Sequence, residues 1–401
     1  ALSNLGGDLS RQGKWEEALG VTGEAVKIRR RLASVNPVAF EPDLAMALTN
    51  LGCRLADLRR REDAVGAMVE AVEMYRRLAG VNQAAFEPDL AKVLSNLGAM
   101  LSGLGRREEA LAATVEAVAV CRRLVGMNQA AFESNLASAL TNLGIALSGL
   151  GRREDAVGAM VEAVEVYRRL AGVNQAAFEP DLATALSSLS DDLSALGRRD
   201  EVLGAAVEMV KIRRRLARVN PAVFEPELAV ALTNIGNRLS DTGRRKEALG
   251  AVTWAVEVYR RLAGVNPVAF EPDLATGLSK LGGMLAALGR WEEALAATAE
   301  AVEIRRRLAG VNPEVIAPDL ARALWGFAWV RAAGQVELAE ALTAAEESVA
   351  IYEGMVQRLP QAFTDDLRGA LAALADVLDG LGRGEEAARV RHRIDRLDDE
   401  G

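Results

Sequence analysis

An all-α solenoid of about nine antiparallel helix pairs is the fold this sequence predicts, and three observations predict it. The stretch Ala47-Leu48-Thr49-Asn50-Leu51-Gly52 returns every 46 residues, at 1–6, 93–98, 139–144, 185–190, 231–236, 277–282 and, more loosely, 323–328. Apolar residues fall at helical spacing on two successive segments of each repeat. Aromatic residues make up only 4% of the 401-residue chain, which is thin for one large globular core. It suffices where each unit buries a face only against its neighbours.

Taking the elements in order, Leu44, Leu48, Leu51, Leu55 and Leu58 share one helical stripe and define a first helix, helix A. Glu41-Pro42-Asp43 is expected to open it, since proline suits a first turn and acidic groups complement the positive end of the helix dipole. Phe40, just before, would staple the entry. Gly105, Gly151, Gly197, Gly243 and Gly289 close the helix in the left-handed conformation. Arg59 takes that place in one unit, where the same conformation costs about 1 kcal/mol, so a local adjustment is expected. Ala64, Met68, Ala71, Val72, Tyr75 and Leu78 form the buried stripe of a second helix, helix B, running from Arg61 to Leu78. Glu62 and Asp63 at its start, and Arg76 and Arg77 near its end, match its dipole. A connector from Gly80 to Glu87 leads to the next unit. Gly6, Gly52, Gly98, Gly144, Gly236 and Gly282 fall inside helix A, where glycine costs up to about 1 kcal/mol against alanine; close helix approach is the expected reason. Ser190 and Ala328, which replace it, are also small.

The whole chain, 1–401, reads as one array: a truncated first unit 1–42, six regular units 43–318, a divergent unit 319–365 with a one-residue slip, and a capping pair 366–401 ending in a polar tail at 398–401. The chain starts inside a helical pattern without an initiator methionine, so a preceding part of a larger protein is expected.

The net charge of −8 does not favour nucleic acid. The arginine triplets at 29–31, 59–61, 213–215 and 305–307 sit among glutamates and read as structural charges near helix ends. Cys53 and Cys121 lie at unrelated places in the repeat, too few for a disulfide framework or zinc site, and point to a reducing cytoplasm. No apolar run reaches the ~18 residues needed to span a bilayer. His392, the single histidine, lies among arginines in the last helix, and the Gly-Arg-Arg turns lack a phosphate-loop pattern. No catalytic residue, metal or cofactor is expected, and the chain does not read as an enzyme.

Leu97-Gly98, Leu101, Gly105, Glu109-Ala110-Leu111 and Ala117 match the spacing of the tetratricopeptide repeat, and each unit shows most of that pattern. With its longer helix B and Phe-containing connector, the chain resembles the long repeats of kinesin light chains and of bacterial multidomain regulators, in which such arrays follow a nucleotide-binding or effector domain. The resemblance implies a right-handed superhelix whose helices A line the concave side and bind peptides or protein segments.

The stripe of helix A opposite the leucines carries Met46, Thr49, Asn50, Cys53, Ala56 and Asp57, the face that the resemblance turns inward. Asn recurs there at Asn4, Asn50, Asn96, Asn142 and Asn234, and a row of amides on helices ~10 Å apart can hold an extended backbone. The alternative is that these asparagines cap or bridge neighbouring helices. Positions that vary between units are expected to carry selectivity. Among them Lys92, Lys280 and Arg322 favour an acidic segment, and Asp57, Asp191 and Asp241 a basic one. Trp325 and Trp329 either anchor an apolar ligand side chain or fill a repacked core. Trp254 replaces a glutamate found at 24, 70, 116, 162, 208 and 300, and is expected to be exposed on the outer side of helix B. The expected role is a partner-binding scaffold or sensor module in a larger regulator. Self-assembly, or control of a preceding effector domain, is the alternative.

Overall fold

In the repeats between residues 36 and 334, helix A opens on an asparagine. In the computed structural model, Asn36, Asn82, Asn128, Asn174 and Asn266 accept through Oδ1 the backbone N–H three residues on, at 3.2–3.3 Å. Asn82 has φ −141°, and its own N–H closes the preceding helix on the Leu78 carbonyl at 2.8 Å. One residue therefore caps two helices, and the corner between repeats needs no more chain than that.

This corrects the expected helix limits. Helix B continues to Val81, and the connector shrinks to Asn82. Helix A of the second unit begins at Pro37, not at Glu41-Pro42-Asp43, and Phe40 lies inside it. Pro42 is thus an interior proline, a residue that usually costs about 3 kcal/mol in a helix. The carbonyl it deprives of a partner belongs to Val38, on a corner 89% exposed to water, which can take over the hydrogen bond.

The structure describes residues 2–399, and of these the side chains of all but 2–4, 6, 10, 398 and 399; Asn4, Gly6 and the polar tail lie outside that description. Among the described residues there are eighteen α-helices and no strand. The A helices are α1 (Leu2–Arg11), α3 (Pro37–Asp57), α5 (Gln83–Gly103), α7 (Gln129–Gly149), α9 (Gln175–Ala195), α11 (Pro221–Asp241), α13 (Pro267–Ala286), α15 (Pro313–Gly334) and α17 (Pro360–Gly380). The B helices are α2 (Trp15–Val35), α4 (Arg61–Val81), α6 (Arg107–Met127), α8 (Arg153–Val173), α10 (Arg199–Val219), α12 (Arg245–Val265), α14 (Trp291–Val311), α16 (Leu338–Val356) and α18 (Gly384–Asp399). The chain forms two compact units, 1–212 and 213–401. Within each, helices pack on their neighbours in chain order, as in a helical solenoid. The core of the first is built on Leu44, Leu48, Met68, Leu94 and Leu140, and part of the second on Leu320, Leu324, Tyr352 and Leu371.

The interior glycines have the packing reason expected of them. A Cβ on Gly52 would lie 2.9 Å from Met68 Cγ, and one on Gly98 only 2.4 Å from Thr114 Cγ2. Gly144, Gly236 and Gly282 meet Met160, Val252 and Thr298 in the same way. Where helix A carries a larger residue, the corresponding helix-B position is trimmed. Ser190 is matched by buried Ala206, and Ala328 by buried Ala345, one residue later because of the slip. At the A–B turn Gly105 has φ +73°, and Arg59 is itself left-handed at +59°, so the expected adjustment does not occur and the strain is kept.

The arginines of helix B bind neighbouring helices instead of capping their own. Because the helix runs past them to Val81, Arg76 and Arg77 are not in its last turn. Arg76 reaches forward to Glu116 at 2.5 Å, and the same 40-residue step joins Arg30–Glu70, Arg122–Glu162, Arg168–Glu208 and Arg260–Glu300. Arg77, Arg123, Arg169, Arg261 and Arg307 reach back to glutamates at the start of helix A in their own repeat. Trp254 breaks the forward ladder. It is half-buried, not free on the outer side, because Arg214 stacks on its ring where a carboxylate would otherwise stand.

Candidate partner-binding face

The polar stripe of helix A is less uniform than its sequence. Asn50 and Asn96 are half-buried and Asn234 is exposed. Asn142 Nδ2 donates to the Ser95 carbonyl at 3.2 Å, so this asparagine bridges α7 to α5. Lys92 is exposed. Lys280 Nζ donates to Asn237 Oδ1 at 3.2 Å, and Arg322 Nη2 lies 3.6 Å from an Asp366 carboxylate oxygen.

The two tryptophans part company. Trp325 lies against α17, where its ring occupies the space that a side chain at Gly369 would need, 2.4 Å from an ideal Cβ. Trp329 is 39% exposed and lines a notch of about 440 Å³ with Gln335, Asp376, Asp379 and Gly380.

Two further notches lie at the same register. In the first unit, Cys53, Asp57, Arg61, Asn96 and Met100 line one of about 400 Å³ between α3 and α5. In the second, Ser240, Arg245, Lys280 and Met284 line one of about 380 Å³ between α11 and α13. Each combines the last turn of one helix A with the polar stripe of the next, and in these two the first residue of the intervening helix B is an arginine. Sequence reasoning found Asn96, Lys280 and Trp329 but missed Arg61, Ser240 and Arg245. The signal was an arginine recurring at 61, 107, 153, 199 and 245, each of which opens a helix B.

Part of the variation on this face is internal. The helix-B residue 29 positions after a variable helix-A residue often faces it: the Tyr167 hydroxyl is 3.1 Å from Ser138 Oγ, and Arg305 Nη2 donates to Thr276 Oγ1 at 2.6 Å. Burial raises the Tyr167 hydroxyl pKa, an effect opposed by its bond to Ser138. Burial also lowers the Arg305 pKa, against the nearby Asp319 carboxylate. Tyr352 is pushed up to about 12, chiefly by burial and then by Asp366. Ser138, Thr276 and Arg322 therefore answer to a neighbouring side chain as well as to whatever lies on the surface.

A model of the tetratricopeptide repeat matches residues 1–37, 44–85, 90–130, 136–177, 228–269 and 274–314, more than half of the sequence. The chain belongs to the tetratricopeptide repeat family. Among solved structures it is similar to a STAND protein with a tetratricopeptide repeat sensor from Pyrococcus horikoshii, at 13% identity and TM-score 0.54, covering 94% of this chain and 52% of that one. It is also similar to the quorum sensor NprR from B. thuringiensis, at 15% identity and TM-score 0.47, covering 98% of each chain. A third is a kinesin light chain-like protein of Podosopora anserina with nearly identical TPR-like repeats, at 15% identity and TM-score 0.42, covering 54% of this chain and 94% of that one. At these identities the likeness is one of fold. No curated protein matches the chain. No helix among the described residues is long and apolar enough to cross a membrane.

Proposed function

We propose that this tetratricopeptide array is a non-enzymatic scaffold that holds an extended protein or peptide segment along its helix-A face, as the sensing or partner-binding part of a larger cytoplasmic regulator. The observation that carries this reading is the recurrence of an open notch at one register, with a different chemistry each time: a thiol and amide at Cys53 and Asn96, cations at Arg245 and Lys280, an indole and carboxylates at Trp329, Asp376 and Asp379. A segment laid across stacked helices presents a side chain to the notch it crosses, and notches of unlike chemistry select among segments. Asn50, Asn96 and Asn234 supply donors and acceptors for its backbone, while the amide of Asn142 is taken up by Ser95. The STAND protein, which carries a tetratricopeptide repeat sensor within a longer chain, supports placing this array in a larger regulator. A display library of random dodecapeptides selected on the full chain tests the reading. Selected peptides are expected to lose about tenfold in affinity when Asn96 is changed to Ala, roughly the worth of one or two hydrogen bonds. Unchanged affinity for every selected peptide sinks the role of the asparagines, and a library that yields no peptide sinks the scaffold.

Self-assembly has its own supporting observation. The corners between repeats expose Val35, Val81 and Val173 in the first unit and Val219, Val265 and Val311 in the second, all at 84–89%. Light scattering across a concentration series separates the two readings, since a monomer throughout rules assembly out.

A further inference from the structure

One repeat of this array already holds a carboxylate in its notch. Asp192, on α9, is 2% exposed. Its Oδ1 accepts from Ser148 Oγ at 2.6 Å and from Arg153 Nη1 at 3.1 Å. Ser148 lies in the last turn of α7 and Arg153 is the first residue of α8, so a hydroxyl and a guanidinium from the two sides of the A–B turn converge on one oxygen of the next helix A. A carboxylate held by a hydroxyl and a cation makes charge-assisted hydrogen bonds, stronger and shorter than neutral ones.

The same two donors return 92 residues later as Ser240, in the last turn of α11, and Arg245, the first residue of α12. There the residue equivalent to Asp192 is Met284, which brings no charge. The place is an open notch of about 380 Å³, and Lys280 stands on its lining where Ser188 stands in the filled one. Lys280 is held by the neutral Asn237, and among the described residues no carboxylate is within ion-pair distance of Lys280 or Arg245. Two cations and a hydroxyl thus line a groove without the anion that balances their counterparts.

We infer that the notch of Ser240, Arg245 and Lys280 takes the carboxylate of an acidic side chain, Asp or Glu, from the segment bound on the helix-A face, seated as Asp192 is in its own notch. This deepens the scaffold reading and rests on it. Lys280 supplies long-range attraction, Arg245 the charge-assisted bond, and Ser240 the short hydroxyl contact. Met284 leaves room for a carboxylate arriving from outside.

The experiment is fluorescence anisotropy of fluorescein-labelled, C-terminally amidated hexaglutamate on the full chain, whose own net charge of −8 opposes unspecific attraction of this probe. Saturable binding is expected. It should weaken by about tenfold or more in Arg245→Gln and in Met284→Asp, the second of which installs on α13 the plug that Asp192 supplies on α9. Asp192→Ala, which frees Ser148 and Arg153, should add a second binding equivalent. Amidated hexaglutamate that fails to bind, or binds Met284→Asp and Arg245→Gln as it binds the parent, overturns the inference. So does hexaglutamine with a free C-terminal carboxylate binding equally well, since the anion would then be a chain end. Thermal melts establish that each variant is folded, and Arg245→Gln, a change at an exposed residue, keeps the test open if Met284→Asp is not. Library peptides that bind the array but ignore Arg245→Gln overturn the notch and leave the scaffold standing.

Discussion

Arg214 lies over the indole of Trp254, its guanidinium carbon 4.9 Å from the ring centroid, at a rung where the neighbouring repeats join arginine to glutamate. An exposed cation–π contact and an exposed ion pair are each worth up to about 1 kcal/mol, so the exchange is nearly neutral in energy. They differ in their response to salt, since exposed ion pairs are screened. Trp254→Glu is therefore expected to match the parent at low ionic strength and to melt below it in molar salt. A loss that is the same at both salt concentrations excludes the exchange.

Gly98 and Thr114 test the close approach of helix A to helix B. Gly98→Ala places a methyl 2.4 Å from Thr114 Cγ2, an overpacking that should cost about 1–3 kcal/mol in urea unfolding. Adding Thr114→Ala recreates the Ser190 and Ala206 arrangement and should recover most of the loss, apart from the methyl and hydroxyl contacts of Thr114 itself. Additive single and double variants would show that the two residues do not share the strain.

Arg59 stands left-handed where most other A–B turns place glycine. Arg59→Gly should stabilise the array by about 1 kcal/mol, and Gly105→Ala, at φ +73°, should destabilise it by a similar amount. Midpoint shifts of opposite sign in chemical denaturation are the readout.

The backward arginines differ in importance according to the residue that opens helix A. Gln83 covers Glu87, which is 3% exposed and also bonded to Arg123, whereas Pro37 leaves Glu41 at 26% beside Arg77. Arg123→Ala leaves the buried carboxylate with Gln83 alone and should cost about 1–3 kcal/mol. Arg77→Ala, at a solvated pair, should cost less than about 1 kcal/mol. Equal costs would mean that burial of the glutamate does not set the strength of the pair.

The repeat length, the leucine stripe, the glycines of the A–B turn and the interior glycines were legible in the sequence because each is a local pattern of spacing. The start of helix A was not. Asn36-Pro37 and Glu41-Pro42 both carry helix-opening chemistry, and the choice depends on an asparagine side chain reaching Ala39 and on an exposed corner that tolerates Pro42 inside the helix. The partners of Arg76 and Arg214 stood 40 residues away, beyond what helical periodicity on one element reveals. On the candidate face, Trp325 and Trp329 look alike at i and i+4. Only the neighbouring helix distinguishes them, because Gly369 admits one ring and nothing covers the other to the same degree. Ser240 and Arg245 became visible as a site only beside Asp192, whose carboxylate shows what the same pair of donors holds.

The glycine contacts run from Gly52 to Met68 or from Gly98 to Thr114, inside one repeat, and the arginine rungs step forward by a constant 40 residues to equivalent positions on the next helix B. Any stretch of one period can therefore be copied or excised, and each severed partner meets a replacement of the same kind. The units 43–88 and 135–180 differ at eight of 46 positions, and each offers its neighbours the same partners. The rung at Trp254 and the slipped unit near Gln335 are where an exchange would leave a mismatched joint.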